Sequence, residues 1–195
     1  MQPPVPGKQP PAPGMQPAAP AIDQTANLLG ALSLTIADRM TDVMAGAGGR
    51  PESAAAALSA LLHFLDGPSV DLLRQVLGLT SSGTVRLVDR MAESGYVERG
   101  PGTDGRSTSV TLTQAGQAAA HRVAAARAEV LESTLAGLSR DDRDALRRIL
   151  GTMLVGLMRG PGAVRWMCRL CDTGACRGAD GGCPVSNAAR ERYLS

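Results

Sequence analysis

The sequence predicts a mainly α-helical protein that ends in a cysteine-rich loop, and three observations support this prediction. Its 195 residues include only four aromatic ones, namely one Trp, two Tyr and one Phe. The core must therefore be built from Ala, Leu, Val and Met, which favours close-packed helices over a sandwich of β-sheets. Apolar residues also recur at helical spacing along most of the chain. Finally, all four cysteines lie within residues 168–183.

Residues 1–20 are predicted to be a disordered arm. This tract contains eight prolines and a single charge, Lys8, and it has too little apolar surface to offset the entropy lost on ordering. It does not resemble a signal peptide, and no apolar run approaches the ~20 residues that cross a bilayer. The sequence therefore predicts a cytoplasmic protein without a membrane partner. The net charge of +2 does not by itself indicate a nucleic-acid partner.

Two helices are predicted between the arm and residue 66. Gly46–Gly49 ends the first helix, and Pro51 suits the first turn of the second. Asp66-Gly67-Pro68 then ends the second helix. The apolar stripes behind this prediction are Leu28, Leu32, Ile36, Met40 and Val43 in the first helix and Leu58, Leu61, Leu62 and Leu65 in the second.

A pair of short helices follows and forms a helix-turn-helix. Ser69 caps a helix that extends to Leu77, and Thr80 or Ser81 caps another that extends to about Ser94. A turn of about three residues that contains glycine joins them. Such a pair is found in DNA-binding domains and in other helical bundles, so this motif alone leaves DNA binding and protein contact open.

A β-hairpin is predicted directly after the fourth helix. Residues 96–99 form the first strand, and residues 109–113 alternate as a half-buried strand does. The turn cluster 100–105 joins them, with Arg106 at or near the tip. A hairpin in this position is the wing of a winged-helix domain.

Two long helices complete the predicted core. Thr113 opens the first, and Ser139 with Asp142 gives the capping signal of the second. The last helix has a broad apolar stripe, formed by Leu146, Ile149, Leu150, Met153, Leu154 and Leu157. Because this stripe is wider than one small domain needs, it predicts a homodimer; a monomer with a well-covered core is the alternative.

The fourth helix and the wing resemble a known family. Leu87-Val-Asp-Arg-Met-Ala-Glu-Ser-Gly-Tyr-Val-Glu-Arg99 is followed by Asp104-Gly-Arg106 and by Val110-Thr-Leu-Thr-Gln-Ala-Gly116. These segments resemble, in order and spacing, the Leu-Val-Asp-Arg-Leu, Gly-Leu-Val, Asp-x-Arg and Val-x-Leu-Thr-x-x-Gly pattern of the MarR family of bacterial winged-helix transcription regulators. The resemblance covers about Ala21 to Arg159.

The resemblance implies a homodimeric repressor that binds a palindromic operator in double-stranded DNA. It divides residues 21–160 into a DNA-binding head at about 69–113 and dimerisation helices at about 21–45 and 113–160. Family members usually also bind a small-molecule effector. An enzyme is not expected, because His63 and His121 lie in predicted helices without a matching nucleophile motif.

Candidate DNA contacts lie on the fourth helix, near the end that a recognition helix presents to base edges. Helical phase places them on the face opposite to the packed residues, and they are Ser81, Ser82, Val85 and Arg86. The arginine suits guanine, the serines suit bases or phosphates, and the valine suits a thymine methyl group. By resemblance, the wing arginine Arg106 enters the minor groove and Asp104 orients it.

Charge in the predicted head is balanced. Residues 69–113 contain five arginines and five acidic residues, so the head is expected to bind bulk DNA weakly. Arg90 is a phosphate contact, a solvated helix charge, or the partner of Asp89 or Glu93 in an ion pair.

The four cysteines have the spacing Cys168-x2-Cys171-x4-Cys176-x6-Cys183 in a glycine-rich segment. Four thiolates close a tetrahedral zinc site, and the spacing is close to that of a zinc knuckle. Residues 161–195 are therefore predicted to form a metal-binding tail that holds zinc. An iron–sulfur cluster and switchable disulfides are the alternatives, and either would make the protein a redox- or metal-sensing regulator.

Overall fold

A computed structural model describes residues 21–48, 52–102, 107–160, 162–177 and 182–193. The predicted disordered arm, residues 1–20, lies outside the described residues. The chain divides into two units, Met1–Leu34 and Thr35–Ser195. The elements are α1 (Gln24–Gly48), α2 (Glu52–His63), α3 (Val70–Leu77), α4 (Ser81–Glu93), β1 (Val97–Pro101), β2 (Thr108–Leu112), α5 (Gln114–Leu135), α6 (Arg140–Leu157), α7 (Ala163–Met167), α8 (Thr173–Arg177) and α9 (Pro184–Tyr193).

The helix-turn-helix is confirmed, with both of its caps. The Ser69 side chain accepts a hydrogen bond from the backbone N–H of Leu72 and starts α3 (3.1 Å). Gly78 ends α3 in the left-handed region, at φ +67°, which glycine adopts without strain. Thr80 then caps α4 by accepting from the backbone N–H of Gly83 (3.1 Å).

The predicted wing is confirmed as an antiparallel pair of strands. Val97 of β1 faces Leu112 of β2. The second strand also reaches the segment before α3, since the backbone N–H of Val110 donates to the carbonyl of Pro68 (3.0 Å). These contacts fix the wing to the start of the helix-turn-helix.

A joint between the wing and α5 is formed by Thr113 and Gly116. The Thr113 hydroxyl donates to the carbonyl of Gly95 (2.6 Å), and its backbone N–H donates to the carbonyl of Tyr96 (3.1 Å). Gly116 is buried against Tyr96, where the carbonyl oxygen occupies the space that a Cβ would need. The absence of a side chain therefore allows α5 to start directly on the wing.

The main core lies between α2, α3, α4, the wing and α5. Alanines of α2 are fully buried there, which lets α2 and α5 approach closely. By contrast, the apolar stripe of α6 is largely exposed. Its exposed members are Ile149 (53%), Leu150 (42%), Leu154 (40%) and Leu157 (65%).

The cysteine tail differs from the predicted loop, because its described residues form the three short helices α7, α8 and α9. Sequence analysis did not predict α9, which begins at Pro184, a residue type that is favoured in the first turn of a helix. This helix packs on α6 through a small second core of Met158, Val185 and Ala189. Across the described residues, no helix combines the length and hydrophobicity of a membrane span.

Candidate DNA-binding surface and cysteine cluster

Helix α4 presents two faces, as its sequence predicts. The buried face is formed by Thr84, Leu87, Val88 and Met91. The exposed face is formed by Ser81, Ser82, Val85, Arg86 and Arg90. The structure thus places all five α4 candidates on one solvent-facing side, with the serines in the first turn. Backbone N–H groups that remain unpaired at a helix N-terminus favour anions such as phosphate.

Two ion pairs form between charged side chains of the head. Asp89 of α4 binds Arg99 of β1 (2.6 Å), and Asp71 binds Arg74 within α3 (2.8 Å). The hydrogen bond from Arg74 lowers the pKa of Asp71, so this carboxylate stays charged. Two acidic groups are therefore balanced within the head.

The exposed arginines of α4 have a different environment. Among the described residues, neither Arg86 nor Arg90 has an ion-pair partner. Among the described residues, Arg90 is paired with neither Asp89 nor Glu93, and Asp89 binds Arg99 instead. Glu93 of α4 and Glu98 of β1 are exposed as well and have no ion-pair partner among the described residues, so Arg86 and Arg90 are available for contacts but do not make the head positive.

The remaining DNA-contact candidates, Asp104 and Arg106, lie outside the described residues. Just beside them, the backbone N–H of Gly102 donates to the carbonyl of Ser107 (2.8 Å). This bond closes the described part of the wing.

The four cysteines form no disulfide with one another and line one cavity of about 540 Å³. Cys168 is hydrogen-bonded to Cys171, and Cys176 is hydrogen-bonded to Cys183. The thiols are thus brought together in two pairs. Within the part of the chain that the structure describes, however, no group of three or more His, Cys, Asp or Glu side chains is arranged to hold a metal ion.

The pKa values of the two thiols in the first pair, Cys168 and Cys171, shift in opposite directions. The hydrogen bond from Cys168 lowers the pKa of Cys171 to about 6, and the positive charge of Arg127 acts in the same direction. That hydrogen bond and burial raise the pKa of Cys168. Burial also raises the pKa of Cys176. One thiolate therefore exists near neutral pH, which is the form that binds metals.

Positive groups surround this cavity. Arg165 and Arg190 line it, and Arg127 of α5 acts on Cys171. The Nε atom of Arg127 is buried and has no hydrogen-bond partner among the described residues, which is costly in a protein interior. Four thiolates around a divalent cation would carry a net negative charge, which these positive groups would offset, but the described cysteines are not arranged as a metal site.

The tail contacts the turn of the helix-turn-helix and the end of α2. Trp166 lies against Gly78 in the turn between α3 and α4, where a Cβ would be 3.0 Å from the indole Nε1. The guanidinium of Arg169 stacks over the same ring (5.0 Å to its centroid). Near the end of α2, the hydroxyl of Thr173 donates to the carbonyl of His63 (3.1 Å).

Sequence analysis did not identify Arg127 or the pair Asp89–Arg99 as parts of these sites. Arg127 is far from the cysteines along the chain and has no motif around it. The ion pair joins α4 to β1 across ten positions. The sequence shows only that Asp89 lies on a predicted helix and Arg99 on a predicted strand, which does not indicate that the two side chains meet.

The comparisons with known proteins point to one family. Residues 49–107 match the model of the MarR family. No curated protein is similar enough in sequence to count as a match.

Several solved structures share the fold. A MarR family protein from Bacillus stearothermophilus is 22% identical with a TM-score of 0.61, over 71% of this chain and 100% of that chain. A probable transcriptional regulator from Pseudomonas aeruginosa is 26% identical with a TM-score of 0.53, over 67% and 97%. Apo MarR from E. coli is 19% identical with a TM-score of 0.57, over 69% and 99%. The chain therefore has the winged-helix fold of the MarR family, and its segment 49–107 matches the sequence model of that family.

Proposed function

We propose that the protein is a MarR-family transcriptional regulator that binds a palindromic DNA operator as a homodimer and represses transcription there. The exposed face of α4 is the observation that carries this proposal. It combines first-turn hydroxyls with Arg86 and Arg90, which have no ion-pair partner among the described residues. A recognition helix uses such groups for bases and phosphates. The regulator is thus a binding protein rather than an enzyme.

The dimer is proposed from exposed apolar surface. The α6 stripe exposes Ile149, Leu150, Leu154 and Leu157, and within its own unit the start of α1 exposes Leu28, Leu32 and Leu34. Large apolar side chains that repeat along one helix are typical of a surface that another chain covers. A second copy satisfies this need and also supplies the second head for a palindromic operator.

Arg86→Ala is expected to weaken operator binding by about 1–3 kcal/mol, or roughly five- to 150-fold, and to relax the preference for one base in each half-site. Arg90→Ala is expected to weaken binding to all duplexes alike and to lower the salt dependence by about one unit of slope. Fluorescence anisotropy with operator and scrambled duplexes at several salt concentrations measures both effects. Arg148→Ala on α6 serves as the control. Unchanged affinity in both α4 variants would contradict this use of the helix.

A second proposal concerns the four cysteines, which we assign to a zinc centre. It is supported by the convergence of the thiols on one cavity and by the positive groups around it. Zinc is favoured because four thiolates complete its tetrahedral shell without an assembly pathway. An iron–sulfur cluster or a pair of switchable disulfides would instead make the tail a redox sensor.

Protein purified without oxygen is expected to be colourless and to contain about one zinc ion per chain. Elemental analysis and an absorption spectrum measure this directly. Cys171→Ser is expected to abolish stoichiometric zinc, whereas Ser186→Ala, which alters the lining of the same cavity, is expected to retain it. A brown protein that contains iron and sulfide would show that the cysteines bind an iron–sulfur cluster and not zinc. A metal-free protein with disulfides would exclude both zinc and the cluster.

A further inference from the structure

We infer that Arg165 and Arg169 of the tail bind phosphates of the operator backbone beside the recognition helix, and that they thereby supply positive charge that the head lacks. This inference rests on the proposed function and deepens it, because it assigns a second set of contacts to the same partner, double-stranded DNA. It follows from where the positive charge of the chain lies and from where the tail touches the head.

The formal net charge of +2 lies entirely in the tail. Residues 161–195 contain five arginines and three acidic residues, whereas residues 1–160 contain fifteen basic and fifteen acidic residues. Contacts from Arg and Lys to phosphates supply the part of DNA affinity that does not depend on sequence. A head whose own charges cancel therefore gains affinity from cations that another part of the chain places beside it.

The tail meets the head at the turn that leads into the recognition helix. The indole of Trp166 lies against Gly78, where a Cβ would be 3.0 Å from Nε1 and 3.3 Å from Cδ1. Ser81, the first residue of α4, follows Gly78 by three positions, which corresponds to at most about 10–11 Å of extended chain. The major groove is about 12 Å wide. An arginine beside Trp166 is therefore within reach of the phosphates that border the groove entered by α4.

The same part of the tail runs along α3, and the first helix of a helix-turn-helix crosses the DNA backbone. A cleft of about 890 Å³ is lined by residues of α3, by the end of α6 and by Arg159, Arg165 and Arg169. No acidic side chain is among the described residues that line this cleft. Helix α3 has a single arginine, Arg74, which is paired with Asp71. The tail thus places unpaired cations beside a helix that has none of its own.

Both arginines are available to a phosphate. Arg165 is exposed, and neither Arg165 nor Arg169 has an ion-pair partner within the described parts of the chain. The guanidinium of Arg169 stacks over the ring of Trp166, and its Nη1 donates to the carbonyl of Trp166 (2.9 Å). These contacts hold the group beside the turn and leave most of its five N–H donors for another acceptor. Less side-chain freedom is then lost on binding.

The test measures how salt affects binding of the full-length protein to the operator that it selects from a random pool, by fluorescence anisotropy between about 50 and about 200 mM salt. Each phosphate contact contributes about 0.9 to the slope of log affinity against log salt. The double variant Arg165→Ala, Arg169→Ala is expected to lose about 1.8 of this slope, so that its affinity falls about tenfold less than that of the wild type over the range. Arg165→Ala alone, which changes only an exposed side chain, is expected to lose about half as much slope.

Three comparisons distinguish phosphate contacts from other effects. Affinities for the operator and for a scrambled duplex are expected to fall by the same factor, because phosphates carry no sequence information. Arg165→Lys retains the charge and is expected to retain the slope. Arg148→Ala removes an exposed charge from α6 that has no ion-pair partner among the described residues, and it is expected to leave the slope unchanged. Circular dichroism checks the helical content of each variant.

The outcomes separate this inference from the proposed function. If the wild type selects an operator and both tail variants keep its salt slope, the inference is overturned and sequence-specific binding stands. An equal loss of slope in Arg148→Ala also overturns it, because net charge rather than position would then be responsible. If the wild type selects no duplex, the proposed function fails and the inference fails with it.

Discussion

Ile149→Glu is expected to convert the proposed dimer into a folded monomer. The side chain of Ile149 is 53% exposed in the single chain, so the substitution does not place a charge in the core of the protomer. In a two-fold dimer that covers the α6 stripe, each interface contains the new carboxylate twice. Burying a charge without a partner costs at least about 2 kcal/mol per copy, so the dimer is expected to dissociate roughly a thousandfold more readily.

Analytical ultracentrifugation over a range of protein concentrations measures this effect. Arg148→Glu is the matched control, because it introduces the same carboxylate on the neighbouring residue, which lies on the other side of α6. The control is expected to remain a dimer, and Ile149→Glu is also expected to lose tight binding to a two-half-site operator. A dimer of unchanged stability in Ile149→Glu would show that α6 does not form the interface.

Gly116→Ala is expected to destabilise the fold by about 1–3 kcal/mol or more. A methyl group at this position overlaps the carbonyl oxygen of Tyr96, and it lies 2.8 Å from the carbon of that carbonyl and 3.2 Å from Leu112. Backbone atoms do not move aside as a side chain does. Relief therefore requires α5 to shift away from the wing, which strains the bonds of Thr113 to Gly95 and Tyr96.

Chemical denaturation at one fixed protein concentration measures this loss, because the stability of a dimer depends on concentration. Gly137→Ala is the control, since an added Cβ there meets no atom within 4 Å and the backbone is not in the left-handed region. The control is expected to change the free energy of unfolding by less than about 0.5 kcal/mol. Equal effects in the two variants would contradict the close joint between α5 and the wing.

The helix-turn-helix was predictable because its signals are local. Ser69, Gly78 and Thr80 determine caps and a turn through contacts within a few residues. The face of α4 was equally predictable, since helical phase separates Leu87 and Met91 from Arg86 without knowledge of the rest of the fold.

Features that depend on distant contacts could not be predicted in this way. Arg127 affects Cys171 from α5, and Gly78, the residue that Trp166 contacts, lies far from it along the chain and could not be named as its partner. The short helix α9 is stabilised by its packing on α6, as Val185 and Ala189 show, so its own sequence gave a weak signal. Propensity is a weak guide where tertiary packing decides the conformation.

The central claim, sequence-specific DNA binding by a winged-helix dimer, is tested most directly by selecting duplexes from a random pool and footprinting the bound sequence. We predict two related half-sites on one face of the duplex, with centres one helical turn or a multiple of it apart, about 34–36 Å per turn. We also predict that affinity falls to that of a scrambled duplex when one half-site is replaced. Selection of no preferred sequence, or equal affinity for selected and scrambled duplexes, would contradict the claim.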